Sequence, residues 1–402
     1  MADLGSRASS DQVDVAADAL HGGTPGADVV IVDVVIVGGG PVGLAAAIEA
    51  RLAGLTVTLI EQRAGTIDKA CGEGLMPGAL PLLARLGVDP AGEPLRGVMY
   101  RQGASTAIHR FAGDGSGRGV RRTELHRALA IRVDELGVRR ITAKVSGVNS
   151  GATVASVRAS GSDGAVTVVA RYVFGCDGLH SAVARLVGLS ESAGRAGVRA
   201  ATSTSNRANR SRRYGVRQHY ARAPWSDNIE VYYGAEAEFY VTPVAADTVG
   251  LAMLARRGTD FDAALAAIPE LAARLAGVAA ASTRRGAGPF KQRTRGRTAG
   301  RVLLLGDASG YVDAITGEGL RLGFAQARAA VRCILADTPR TEASRADTLR
   351  AYERQWKRET RNFRLLTTGL VLLATSPFRK MIVPLAERFP ALFGVIVERL
   401  AR

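Results

Sequence analysis

One turn near the start of the chain constrains its fold more than any other feature. Residues 29–37 are β-branched except for Asp33, the composition of a parallel strand buried on both faces. This run passes directly into Gly38-Gly39-Gly40-Pro41-Val42-Gly43, and a helical stretch follows at 44–53. A second apolar strand, 56–60, ends at Glu61, 23 residues after Gly38. In Gly38-x-Gly40-x-x-Gly43, Gly38 permits the tight turn, Gly40 lets the backbone approach a pyrophosphate, and Gly43 lets helix pack closely on strand. The helix that Pro41 and Val42 open offers N–H groups and a dipole that favour the anion. Glu61 stands where a ribose-binding carboxylate belongs, and Gln62 and Arg63 follow it within reach of the same ligand. The expectation is an α/β chain built on a dinucleotide-binding βαβ unit.

The remainder fits around that unit. Helices are expected at 78–86 and 123–136, and strands at 145–148, 153–159 and 165–173, the last leading into Cys176-Asp177-Gly178. Between 196 and 283 the pattern changes to alternating segments, among them 228–233 and 238–241, as in an antiparallel sheet. A buried strand at 301–305 then enters Gly306-Asp307, and a long helix starts at Gly319. This divides the chain into a disordered tail (1–28), a dinucleotide-binding domain in two parts (29–195 and 284–345), an inserted sheet domain for substrate (196–283), and C-terminal helices (346–402).

Composition narrows the partners. The net charge of +16 suggests nucleic acid, but lysine occurs only at 69, 144, 291, 357 and 380, so the other 48 of 53 basic residues are arginine. That is a compositional bias spread along the chain, and the interleaved aromatics of a stacking surface are missing; nucleic acid is not expected. Three scattered cysteines form neither a zinc knuckle nor a disulfide framework. The N-terminus has five aspartates against Arg7, unlike a secretory signal. The best apolar run, 365–378, falls short of the roughly 18 residues of a membrane span. A cytoplasmic protein is expected, its last helices packing on the rest of the chain; the segment from Leu365, with Phe378, Phe389 and Phe393, would touch a membrane only if the substrate were a lipid.

The three motifs, in this order, resemble those of FAD enzymes of the para-hydroxybenzoate hydroxylase fold. That superfamily includes class A flavin monooxygenases, flavin halogenases and geranylgeranyl reductases, and the likeness spans roughly residues 29–345. It implies that FAD lies along Gly38, Gly40, Pro41, Val42 and Gly43, with Glu61, Gln62 and Arg63 toward its adenosine. Arg122 would contact the cofactor, Val145 would approach adenine through its backbone, and Gly306-Asp307 would hold the ribityl or pyrophosphate side. Asp177 belongs to a motif linked in the hydroxylases to both FAD and NAD(P)H. Cys71-Gly72-Glu73-Gly74-Leu75 and the segment from Tyr311 to Leu320 resemble geranylgeranyl-reductase-like flavoproteins. Gly72, Gly317, Gly319 and Leu320 would then pass close to the flat ring system, with a helix N-terminus facing the reduced flavin. Cys71 reads as a small buried thiol rather than a redox group, and Glu318 as a helix-start carboxylate.

Arg213-Tyr214-Gly215, His219-Tyr220 and Tyr240-Val241-Thr242-Pro243 resemble a group of actinobacterial FAD oxidoreductases, usually called monooxygenases, that tailor natural products. The likeness implies a monooxygenase that hydroxylates or epoxidises an electron-rich small molecule through a flavin hydroperoxide. NADPH or NADH would be the electron donor, directly or through a separate flavin reductase. His219, Glu238 and Tyr240 are the catalytic candidates on the substrate sheet. Two alternatives stay open: a reductase of isoprenoid or polyene double bonds, and a non-redox cyclase with structural FAD.

Departures from the family pattern are informative. Ala184 stands where the hydroxylases place an arginine, with Arg185 next, which leaves the donor open. Residues 238–243 lack the reductases' Tyr-x-Trp-x-Phe-Pro, and Pro81 stands where the tryptophan halogenases' lysine would fall. Arginines 195, 199, 207, 210, 212, 213, 217 and 222 form a basic stretch that would dock an acidic carrier protein, bind a phosphate-bearing substrate, or be a solvated face.

Overall fold

The computed structural model describes residues 28–113, 116–191, 212–337 and 342–402. The tail expected at 1–28 (all but its last residue) and arginines 195, 199, 207 and 210 lie outside them.

The first strand, Asp28–Val37, is the centre of an eight-stranded sheet. It pairs in parallel with Val57–Glu61 on one side and with Gly164–Gly175 on the other. The chain therefore leaves the middle strand in opposite directions, and the crevice at its C-terminal end is where an open α/β sheet binds its ligand. Arg139–Thr142 and Val302–Leu304 extend the parallel core outward. Val34 and Ile36 face the helices Pro41–Leu52, Arg122–Glu135 and Gly319–Leu335. Val35 and Val37 face the other way, onto Val157, Val168 and Val183. Both faces of the strand are thus dry from Val34 to Val37, whereas Val29 and Ile31 are exposed, so the expectation of burial on both faces holds only for the half that leads into the glycine turn. The second face is covered by Lys144–Ser150 and Ala155–Gly161, which fold back antiparallel from Gly164–Gly175.

A seven-stranded sheet carries the second domain: Arg285–Ala287, Arg213–Tyr220, Thr248–Arg256, Ala237–Ala245, Asn228–Tyr233, Gly97–Gln102 and Ser105–Arg110. It differs from the expectation in two ways. Strands from 97–110 and 285–287, outside the 196–283 boundaries, belong to it. It is also not wholly antiparallel, because Asn228–Tyr233 runs parallel to Gly97–Gln102. Both differences have one cause: those two strands come from separate passages of the chain, so no hairpin dictates their direction.

The C-terminal helices, Glu342–Ala374, Ile382–Arg388 and Pro390–Ala401, close one end of the molecule. The last two pack on Ser105–Arg110 and contribute Val383, Phe393 and Val397 to a core shared with Tyr100 and Val231 of the sheet.

Candidate active site

A cavity of about 490 Å³ runs between the two sheets. At one end stand the C-terminal edge of the first strand and its turn; at the other, Val98, Tyr100, Val231, Tyr240 and Leu254 of the second sheet.

The three fingerprint glycines have separate physical roles. A Cβ on Gly43 would lie 1.8 Å from the carbonyl oxygen of Gly38, and one on Gly38 would lie 2.5 Å from that of Cys176. These two glycines permit backbone-on-backbone packing. A Cβ on Gly40 would meet nothing within 4 Å, and the same is true of Gly72 and Gly317, all three on the cavity wall. The helix Pro41–Leu52 begins there with proline in its first turn and no side-chain cap, leaving its N-terminus to a ligand. His126, which sequence reasoning missed, supports the turn through Nε2, which donates to the Gly39 carbonyl at 3.0 Å. Burial lowers its pKa, which the hydrogen bond to Gly39 opposes.

The residues around this crevice suit a dinucleotide. Glu61 accepts from the Gly39 N–H at 2.8 Å and, through its other oxygen, from Arg63 at 3.0 Å, so carboxylate and guanidinium form one polar rim beside Gln62 and Val145. Arg122, and not its neighbour Arg121, lines the cavity, and its buried Nε has no protein partner. Asp307 lies on the wall with Lys69 Nζ 3.9 Å away, a cation absent from the sequence-based expectation. Gly319 and Leu320 line the wall as expected. Gly306 serves packing instead: it is buried, with positive φ, against Val42. Asp177 borders the cavity, but its carboxylate accepts from Ser181 Oγ and the N–H groups of Ala182 and Val183, holding the start of the helix Ala182–Leu186. Burial raises its pKa, and these donors oppose the rise. Ala184 is buried, while Arg185 reaches the cavity rim.

Of the three catalytic candidates only Tyr240 lines the cavity; its hydroxyl donates to the Ile315 carbonyl at 3.3 Å. The expectation that His219 and Glu238 face the substrate is corrected. His219 is buried with Nε2 2.7 Å from Glu73 and Nδ1 2.9 Å from Ser282 Oγ. Glu238 is buried in an ion pair with Arg213, whose other nitrogen lies 3.4 Å from Asp313. Both side chains are held by buried arginine networks, the second of which is Arg217 with Asp68 and Glu73. Arg213 and Arg217 are thus interior residues, neither a solvated face nor a docking surface. Glu73 is the link that sequence reasoning left unassigned. It has positive φ, lines the cavity, accepts from the Arg122 N–H at 2.8 Å and meets His219. Its place beside Gly72 in the Cys71–Leu75 motif was the available signal. Cys71, Cys176 and Cys333 are free thiols, and burial raises the pKa of Cys176 well above its usual value.

A parallel sheet with its glycine turn open at the switch point, and a second sheet walling the far side, define an α/β protein of the FAD-binding class. The chain belongs to the FAD binding domain family, whose sequence model matches residues 31–362. In architecture it is similar to the flavin-dependent halogenase CmlS, with a TM-score of 0.70 at 18% identity over 92% of this chain and 72% of that one. It is likewise similar to the anhydrotetracycline hydroxylase OxyS from Streptomyces rimosus, with a TM-score of 0.62 at 22% identity, covering 92% and 76%. A shorter stretch of 56 residues is 50% identical to a menaquinone reductase of Mycolicibacterium smegmatis. That match spans only 14% of either chain.

Proposed function

We propose that the protein is a FAD-dependent monooxygenase acting on an apolar, electron-rich small molecule. The observation that carries this reading is the continuity of one cavity from the Gly40 turn to a chamber walled by Tyr100, Val231, Tyr240, Leu254, Phe290 and Tyr311. FAD, when bound, supplies electrons and the means of activating oxygen. The protein's part is to bind, orient and exclude water. Gly38–Gly43 and Arg122 would hold the pyrophosphate, and Gly72 and Gly317 would let backbone lie against a ring. Apolar and aromatic side chains would seat the substrate and keep water out. Glu73 lines the cavity, and His219 Nε2, 2.7 Å from its Oε2, fixes the orientation of that carboxylate from behind the wall.

The test supplies holoenzyme with NADPH or NADH under ¹⁸O₂ and reads the product by mass spectrometry. Incorporation of one labelled oxygen is expected, and unlabelled product would reject an oxygenase. Flavin bleaching on anaerobic addition of the nicotinamide assigns direct reduction; no bleaching assigns it to a separate reductase.

A second reading, reduction of a carbon–carbon double bond, is favoured by the local identity with the menaquinone reductase and by the Cys71–Leu75 segment. It is separated cleanly from the first, because only a reductase turns over without oxygen.

A further inference from the structure

The C-terminal helices carry two opposite apolar stripes, and only one of them is used inside the protein. Phe363, Thr367 and Ala374 are buried on the long helix Glu342–Ala374, and Phe393, Val397 and Leu400 on the terminal helix Pro390–Ala401. These positions recur at helical spacing, as an inward face should. Leu365 and Leu372 are exposed on the first of these helices, and Leu392 and Val395 on the last. Between them, Phe378, Met381, Leu385 and Phe389 are exposed on the short helices Pro377–Met381 and Ile382–Arg388 and at their boundary. Fifteen large hydrophobic side chains are exposed among the described residues, and eight of them fall between positions 365 and 395. Such clustering marks a surface that meets something apolar.

Charge identifies the occupant. From 361 to the C-terminus there are seven basic residues and two acidic ones. Lys380, Arg388 and Arg399 are exposed, whereas Glu398 is bound by His109 at 3.0 Å and by Arg402 at 2.7 Å. Apolar side chains ringed by cations match an anionic bilayer surface. Among the described residues no single helix is long and apolar enough to cross a membrane, and the one bent pair that passes on composition turns by 98° at its break. The shape suits lying on the surface.

We infer that these C-terminal helices dock the enzyme on the surface of an anionic lipid bilayer. The terminal helix makes the inference functional: it exposes Leu392 and Val395 outward while its Val397 and Leu400 line the cavity. One helix would thus separate lipid from the chamber, so that an apolar substrate dissolved in the bilayer has a short path inward. The docking itself does not depend on whether the enzyme oxygenates or reduces.

The experiment floats purified full-length holoenzyme with phosphatidylcholine vesicles, with and without phosphatidylglycerol. Wild type should float with the anionic vesicles and less so as salt is raised. Phe378→Ser/Phe389→Ser/Leu392→Ser should lower the partition coefficient about tenfold, with flavin content and circular dichroism unchanged. Lys380→Glu/Arg388→Glu, which alters no apolar side chain, should abolish the preference for phosphatidylglycerol. The inference is overturned if wild type stays unbound, if the serine variant floats equally well, or if the charge-reversed variant keeps the preference. It is also overturned if light scattering shows a dimer that the serine variant dissociates while neither binds vesicles, since the face would then belong to a second copy.

Discussion

Gly40 and Gly43 lie three residues apart in one motif, yet the structure assigns them opposite sensitivities. Gly43→Ala must push its methyl into the Gly38 carbonyl, so the turn itself has to move, at a cost of about 3 kcal/mol. Gly40 has φ −69° and ψ 173°, an ordinary extended conformation, and its Cβ position is open. Gly40→Ala should therefore fold with an unchanged melting temperature and lose FAD affinity about tenfold or more, whereas Gly43→Ala should lose stability first. Flavin absorbance per mole of protein, read beside thermal unfolding, separates the two. Glu318 offers a prediction from charge. It precedes the helix Gly319–Leu335 and is almost wholly buried, and burial pushes its carboxyl up to about 7 despite the opposing ion pair with Arg321. An acid whose folded pKa lies above its usual 4.5 contributes stability that is complete below that value. The contribution, about 3 kcal/mol at this shift, is lost as pH rises through about 7. Glu318→Gln should accordingly lose less stability between about pH 5 and about pH 8 than wild type does, as measured by urea unfolding at each pH.

At the scale of elements, the contact that fixes the cofactor turn is one between helices. The helix Gly319–Leu335 crosses the helix Pro41–Leu52 where Gly323 meets Val42; a Cβ on Gly323 would lie 2.3 Å from Val42 Cγ2. Gly323→Ala should lever the two helices apart, costing about 2 kcal/mol, and Val42→Ala in the same chain should recover much of the loss. A double-mutant cycle in urea unfolding checks this: strictly additive losses would mean that the two residues do not touch. Elements of this kind were partly legible in the sequence. The strand, turn and helix around Gly38–Gly43 follow from backbone constraints that act over a few residues, and so do the helix Arg122–Glu135 and the strand Gly164–Gly175. Pairings over long separations were not legible. His219 meets Glu73 across 146 positions, and Arg213 meets both Glu238 and Asp313. Alternation along a strand shows which face a residue occupies and says nothing about its partner, so His219 and Glu238 looked like substrate-facing groups when both are tied into buried polar networks. For the same reason, Gly97–Gln102 was not assigned to the second sheet.

At the scale of the whole molecule, the cavity is the seam where the parallel sheet, the second sheet and the C-terminal helices meet. Gly38, Tyr240 and Leu400 come from these three parts and line one space, so a ligand there touches all of them. Filling the seam should therefore stabilise the protein as a unit, by about 2.7 kcal/mol when free FAD exceeds its dissociation constant a hundredfold. The expected outcome is a melting temperature several degrees higher for holoenzyme than for apoenzyme, with a single unfolding transition followed both by flavin fluorescence and by circular dichroism. The two probes report from different parts: flavin senses the glycine turn, and circular dichroism senses the helices, many of them C-terminal. Coincident transitions that rise together with FAD would show that the seam couples the parts. A circular-dichroism transition that ignores FAD while flavin is released early would mean that the cofactor is held by the parallel sheet alone. The walls contributed by Tyr240 and Leu400 would then serve the substrate only.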